Sequence, residues 1–158
     1  MIEKATMSQL PQIMAIYEKA RIFMAQTGNP DQWGTTDPPE ERVRRDILEE
    51  NCYVNLKDDI ISAVFYFSKE ADPTYAHIEG AWLSDAPYGV IHRIAVGESG
   101  KGVAAECFDF AYGLCGNLRI DTHEKNIPMQ RCLAKYGFRR CGIIYVEDGS
   151  PRIAYQKE

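Results

Sequence analysis

The stretch His92–Tyr112, HRIAVGESGKGVAAECFDFAY, decides how this chain is read. It continues an apolar run, Tyr88 to Val96, which is broken only by His92 and Arg93 and reads as a β-strand. It then passes glycines at 97, 100 and 102 and enters a segment where Val103, Ala104, Cys107, Phe108, Ala111 and Leu114 recur at helical spacing. A strand that turns into a helix exposes unpaired backbone N–H groups at the positive end of the helix dipole, which is an anion site. Glycines let that backbone approach a phosphate closely, because no Cβ holds the ligand off. A plain glycine-rich strand-to-helix turn carries the same local signature, so the stretch alone leaves both readings open.

Two nucleotide motifs are excluded by spacing. A Walker A loop, G-x-x-x-x-G-K-[ST], aligned on Gly100–Lys101 would need glycine at Ala95 and a hydroxyl at Gly102. The Rossmann order G-x-G-x-x-G is absent, because the glycines run G-x-x-G-x-G. What remains is a phosphate cradle without a magnesium ligand, suited to a nucleotide that is held rather than hydrolysed.

Outward from this stretch, the periodicity predicts an α/β domain around one mixed sheet. Ile2–Thr6 reads as a short strand. Thr6-Met7-Ser8-Gln9 fits a capping box ahead of a helix carrying Leu10, Ile13, Met14, Tyr17 and Ala20. Gln26–Thr36 is a loop, and a second helix is expected to open on Asp37 as N-cap with Pro38 at its first position, burying Val43, Ile47 and Leu48. Cys52–Leu56 and Ile60–Phe67 form a hairpin pattern. Ser68–Pro87 fits a strand extension, a short helix or a long loop. Leu118–Thr122 reads as a strand, Asn126–Tyr136 as a helix ended by Gly137, and Phe138–Tyr145 and Arg152–Gln156 as closing strands.

At 158 residues the chain suits one domain, 1–158, and its 45% hydrophobic and 26% charged composition is that of a globular protein. A net charge of −5 argues against nucleic acid or an anionic membrane as the partner. Five scattered cysteines, with no C-x-x-C pair, fit neither a disulfide framework nor a zinc site. With no basic and apolar leader at the N-terminus and no apolar run of ~20 residues, a cytoplasmic location is expected.

Two motifs together resemble the GNAT superfamily of N-acetyltransferases. Gly102 and Ala104, in GKGVA, take the small-residue positions of that family's cofactor loop. Asn126-Ile127-Pro128-Met129 through Lys135-Tyr136-Gly137-Phe138 is similar to its Asn-containing helix that ends in Gly-Phe, with the strand LRIDT between the two. The resemblance implies a mixed, mostly antiparallel sheet of about six to seven strands flanked by about four helices. It also implies acetyl-CoA as co-substrate, with no metal. Strand 88–96 would splay from its neighbour, and Ile94, Ala95 and Val96 would bond the pantetheine through their backbones. Gly100, Lys101, Gly102, Val103 and Ala104 would cradle the pyrophosphate, Asn126 would meet the pantetheine arm, and Arg131 and Lys135 would face the phosphates. The backbone N–H near Val96 would hold the acyl carbonyl. The chain departs from the pattern twice: Ser99 stands at the loop's Arg/Gln position, and Leu133 stands where a proton-donating Tyr often sits, with Tyr136 on a different side of that helix.

Acyl transfer to an amine needs a base, and Glu79 and His92 are the candidates. For Asp121 and His123, a loop-ordering hydrogen bond is the favoured reading. Trp33 and Trp82, each near carboxylates, suit an amine acceptor of a small molecule or peptide. The alternative is a non-catalytic acyl-CoA-binding or sensing module. A homodimer is expected if the C-terminal strands leave a sheet edge exposed. Gly102→Asp places a carboxylate against the cradled phosphates and should abolish acetyl-CoA binding in a calorimetric titration; normal binding would show the cradle to be misassigned.

Overall fold

The computed structural model describes residues 1–97 and 102–158. The chain forms β1 (Ile2–Lys4), α1 (Leu10–Gln26), α2 (Glu40–Leu48), β2 (Cys52–Lys57), β3 (Ile60–Ser68), β4 (Glu79–Gly80), β5 (Gly89–Val96), α3 (Val103–Cys115), β6 (Leu118–Thr122), α4 (Ile127–Lys135), β7 (Arg139–Tyr145) and β8 (Pro151–Lys157). All eight strands join one sheet in the order β1-β2-β3-β5-β6-β8-β7-β4, with β5–β6 its parallel pair. The count exceeds the expected six to seven because the undecided Ser68–Pro87 stretch contributes two-residue β4, which pairs with Gly142 and Ile143 of β7.

Alternation along the strands divides the core between the two faces of the sheet. On one face α1 and α2 cover Val54, Ile61, Val64 and Ala95. On the other, Val103, Cys107, Phe108 and Ala111 of α3 pack on Ala63, Phe65, Phe67, Ile91 and Ile94. Ile91 and Ile94 share a face although three residues apart, because β5 carries a bulge. Tyr66 pairs with His92 and Val64 with Ala95, so Arg93 and Ile94 together oppose Phe65. Arg93 holds φ at 50° there, a left-handed conformation that costs a non-glycine residue about 1–2 kcal/mol.

Several local expectations are corrected. The N-cap of α2 is Pro39, with Asp37-Pro38 outside the helix. Leu48 is 71% exposed, and the buried stripe of α2 is Val43, Asp46 and Ile47, a charged residue at a core position. Leu114 is also exposed, at 41%. Strand β8 is paired on both sides, by β6 and β7, so of the C-terminal strands only β7 has an open side, where two-residue β4 pairs with Gly142 and Ile143.

Gly89 begins β5 against Leu118 of β6, with the Phe67 ring and Cys115 Sγ where its Cβ would be, the latter at 2.9 Å. Gly89→Val should therefore destabilise the fold by about 1–3 kcal/mol through overpacking. Gly113→Ala, on an open helix surface, should leave stability unchanged or raise it. Thermal unfolding of both variants checks the packing; equal melting temperatures would contradict it.

Candidate functional site

Strand β5 runs beside β6 for two pairs, Gly89–Leu118 and Val90–Arg119, and the strands then diverge. The opposite edge of β5 stays bonded to β3, where Ala95 pairs with Val64 and the Gly97 N–H donates to the Ser62 carbonyl at 2.8 Å. Counted from the Gly97–Ser62 bond, strand alternation turns the Val96 peptide groups toward the gap, and the bulge breaks that alternation at Arg93 and Ile94. A cleft of about 550 Å³ opens there, lined by β5, the start of α3, α4 and the C-terminal half of α1.

Ile94, Ala95, Val96, Gly102, Val103, Ala104, Asn126, Arg131 and Lys135 all line this one cleft. Gly100 and Lys101 lie outside the described residues. Gly102 is the N-cap of α3 at φ 71°, and a Cβ added there would meet nothing within 4 Å among the described residues. The first-turn N–H groups of α3 have no intrahelical acceptor. With Lys19, Arg131 and Lys135 on the same walls, the donor set fits a pyrophosphate. Lys19 carried no signal in the sequence, being one charge among several on α1.

Asn126 both caps α4 and joins it to the α1–α2 loop. Its Oδ1 accepts from the Met129 N–H at 3.1 Å, and its Nδ2 donates to Gln32 Oε1 at 2.9 Å, which Asn29 Nδ2 also reaches at 2.8 Å. Leu133 is fully buried in the core, whereas Met129, Cys132 and Tyr136 form the side of α4 that faces the cleft.

A second cavity of about 650 Å³ adjoins the first, sharing Met24, Ile94, Asn126 and Met129 with it. Trp33, His92, Arg93, Asp121, Thr122 and His123 line it. His92 is held between two carboxylates: Nε2 is hydrogen-bonded to Asp72 Oδ2, and Nδ1 lies 3.9 Å from Asp121 Oδ2. The Tyr75 hydroxyl donates to Asp121 at 2.7 Å, and burial together with the Asp121 charge pushes its phenol pKa well up, keeping it a donor. His123 Nδ1 accepts from the Lys125 N–H at 3.0 Å, a loop-ordering bond, and burial with Arg152 nearby holds its pKa down.

The remaining candidates lie apart. Glu79 is exposed on β4, accepts from the Tyr145 hydroxyl at 3.0 Å and lines neither cavity. Trp82 also lines neither; its ring packs on Tyr75 and under the Arg119 guanidinium, 4.0 Å away, and its Nε1 donates to the Tyr75 carbonyl. Trp33 stands in the second cavity, edge-on to Tyr17 at 5.6 Å. Asp72 was missed, although Asp72-Pro73-Thr74 is a readable turn signal: its carboxylate caps Thr74 at 2.9 Å. Among the described residues no group of three or more His, Cys, Asp or Glu side chains could hold a metal ion, and no helix is long and apolar enough to cross a membrane.

Burial alone would raise the Asp72 carboxyl, but hydrogen bonds from His92 and Thr74, with the His92 charge, bring it down from 3.8 to about 2. A carboxyl depressed by folding stabilises the fold above its ordinary pKa and loses that contribution as pH falls toward the folded value. The window here is about pH 4 to 2, and the contribution is roughly 2 kcal/mol. Denaturant unfolding across that window should fall more steeply for the native chain than for Asp72→Asn; parallel curves would contradict the pairing.

No family model and no curated protein sequence matches the chain. Solved structures do. A GNAT-family acetyltransferase from Streptococcus agalactiae 2603 is 33% identical, with a TM-score of 0.90, over 99% of this chain and 94% of that one. A GNAT-family acetyltransferase from Listeria monocytogenes 4b F2365 shares the fold at 19% identity, TM-score 0.73, over 100% and 94%. So does the ribosomal-protein-alanine N-acetyltransferase of Brucella melitensis, at 16%, TM-score 0.64, over 99% and 98%. With its splayed strands, its glycine-capped helix and a relative of that identity matched over nearly all of both chains, this protein belongs to the GNAT family of acetyltransferases.

Proposed function

We propose that the protein transfers an acetyl group from acetyl-CoA to a primary amine of a small molecule or peptide by direct attack. The observation that carries this reading is the meeting of the two cavities at Ile94, with His92, hydrogen-bonded to Asp72, two residues before it on the same strand. The first cleft has the walls for an acyl-CoA, and the second has those for an acceptor.

Asp31, Asp37, Asp121, Glu147 and Asp148 line the second cavity, and Trp33 adds an aromatic face. These five carboxylates outnumber Arg42 and Arg152, which line the same cavity, so the surrounding attracts an ammonium group. Arg93, on the same wall, has its charge matched by Asp46.

An attacking amine must first lose a proton. Asp72 fixes His92 through Nε2, which leaves Nδ1, on the Asp121 side, to take that proton. As the C–N bond forms, the carbonyl oxygen takes up negative charge, and the outward backbone N–H groups of Ile94 and Val96 are the donors for it. Collapse then breaks the C–S bond, and the remaining surplus proton on the attacking nitrogen passes to the departing thiolate or to solvent. A thiol of pKa ~8.5 leaves readily as thiolate, so Leu133 in place of a tyrosine does not stop the reaction. The missing hydroxyl at Leu133 is the one observation that favours the alternative, a non-catalytic acyl-CoA-binding module.

His92→Gln should lower kcat/KM by about 100-fold or more while acetyl-CoA affinity stays within about threefold. Glu79→Gln should leave both unchanged. Thiol release with polyamines, amino acids, aminoglycosides and peptides as acceptors provides the readout. Acetyl-CoA binding with no turnover on any of them would favour the binding module, and a His92 variant of full activity would remove the histidine from the mechanism.

A further inference from the structure

The bulge in β5 is gripped from two helices. The Arg93 carbonyl accepts a hydrogen bond from the Tyr17 hydroxyl of α1 at 2.7 Å. The Arg93 guanidinium meets Asp46 of α2 in a two-pronged pair, Nε to Oδ2 and Nη2 to Oδ1, both at 3.0 Å, and lies 4.7 Å over the Tyr66 ring. Asp46 is 4% exposed and Tyr17 1% exposed, so both groups are removed from water and their geometry is fixed by packing.

A peptide unit is planar, with C=O and N–H pointing in opposite directions. The carbonyl that Tyr17 holds belongs to the peptide whose N–H is that of Ile94. The Tyr17 bond therefore turns the Ile94 N–H away from α1, and rotation of that peptide would require breaking the bond. The guanidinium pair works on the other side of the same residue: it keeps Arg93 at φ 50°, from which a non-glycine residue otherwise relaxes. Ile94 is also where the acyl cleft and the acceptor cavity meet.

We infer that Tyr17 and Asp46 are positioning residues, which act through Arg93 to aim the Ile94 N–H at the acyl carbonyl. The inference rests on the acyl-transfer reading above. Neither residue touches the substrates; both set the direction of a donor that does. Buried charge at a core position of α2, which packing alone would fill with an apolar side chain, has its use in this grip.

The test compares Tyr17→Phe, Asp46→Asn and Arg93→Lys with Val43→Ala, which removes buried methyl groups from α2 without touching the grip. Three readouts are taken: melting temperature, steady-state kinetics, and the carbonyl ¹³C resonance of bound [1-¹³C]acetyl-CoA. The grip variants should lose about tenfold in kcat with acetyl-CoA KM within about twofold, and the bound resonance should move back toward its free position. Val43→Ala should lower the melting temperature while leaving kcat and the resonance unchanged. If the grip variants keep the native resonance, or if Val43→Ala loses kcat as they do, the positioning role is overturned. If the native protein binds acetyl-CoA without turning over, the resonance alone decides the inference. If it binds none, the acyl-transfer reading itself has failed.

Discussion

Strands β5 and β6 pair in parallel at Gly89–Leu118 and Val90–Arg119, and beyond them β5 carries its peptide groups along an edge that β6 has left. Backbone donors and acceptors kept from water without partners are costly, so in the proposed reading a ligand's amides are received in this gap as a strand would be. The divergence also creates room for the α3 N-terminus to face the same space. In the proposed reading, cofactor cleft, acyl position and acceptor cavity all follow from that separation. The β3 side of β5 stays paired throughout and supplies the rigidity that the open side lacks.

The bulge at Arg93–Ile94 is the second element of the arrangement. It changes the phase of β5, so that His92 lines the second cavity, Val96 the first and Ile94 both. One strand thus carries, in the proposed reading, both the base candidate and the oxyanion donors at fixed spacing. The helices that cover the opposite face of the sheet contribute through Tyr17 and Asp46, and the α1–α2 loop is tied to α4 by Gln32 and Asn126. Two layers of the fold therefore converge on a few peptide units.

The local signals in the sequence were read well where one element carried them. The strand-to-helix junction capped by Gly102 and the helix stop at Gly137 are each statements about a single strand–helix or helix–turn junction. The splay itself came from the family resemblance, because divergence of two strands leaves no local pattern. Asp72–His92 and Asp46–Arg93 are pairs separated by 20 and 47 residues, and neither partner announces the other. Asp46 stands at the i+3 position from Val43, on the face of α2 that is buried, whereas Leu48 is exposed. Glu79 and Trp82 looked promising for their residue types, and their contacts with Tyr145, Arg119 and Tyr75 account for them structurally. Chemistry that depends on strand divergence and distant pairing is legible only once the sheet order is known.

The most direct measurement of the central claim is a crystal structure of the protein with acetyl-CoA. The account predicts the pantetheine amides hydrogen-bonded along Ile94–Val96 in the β5–β6 gap, with the pyrophosphate over the Gly102 end of α3. Cofactor bound elsewhere, or β5 and β6 paired to their ends with the gap closed, would contradict it.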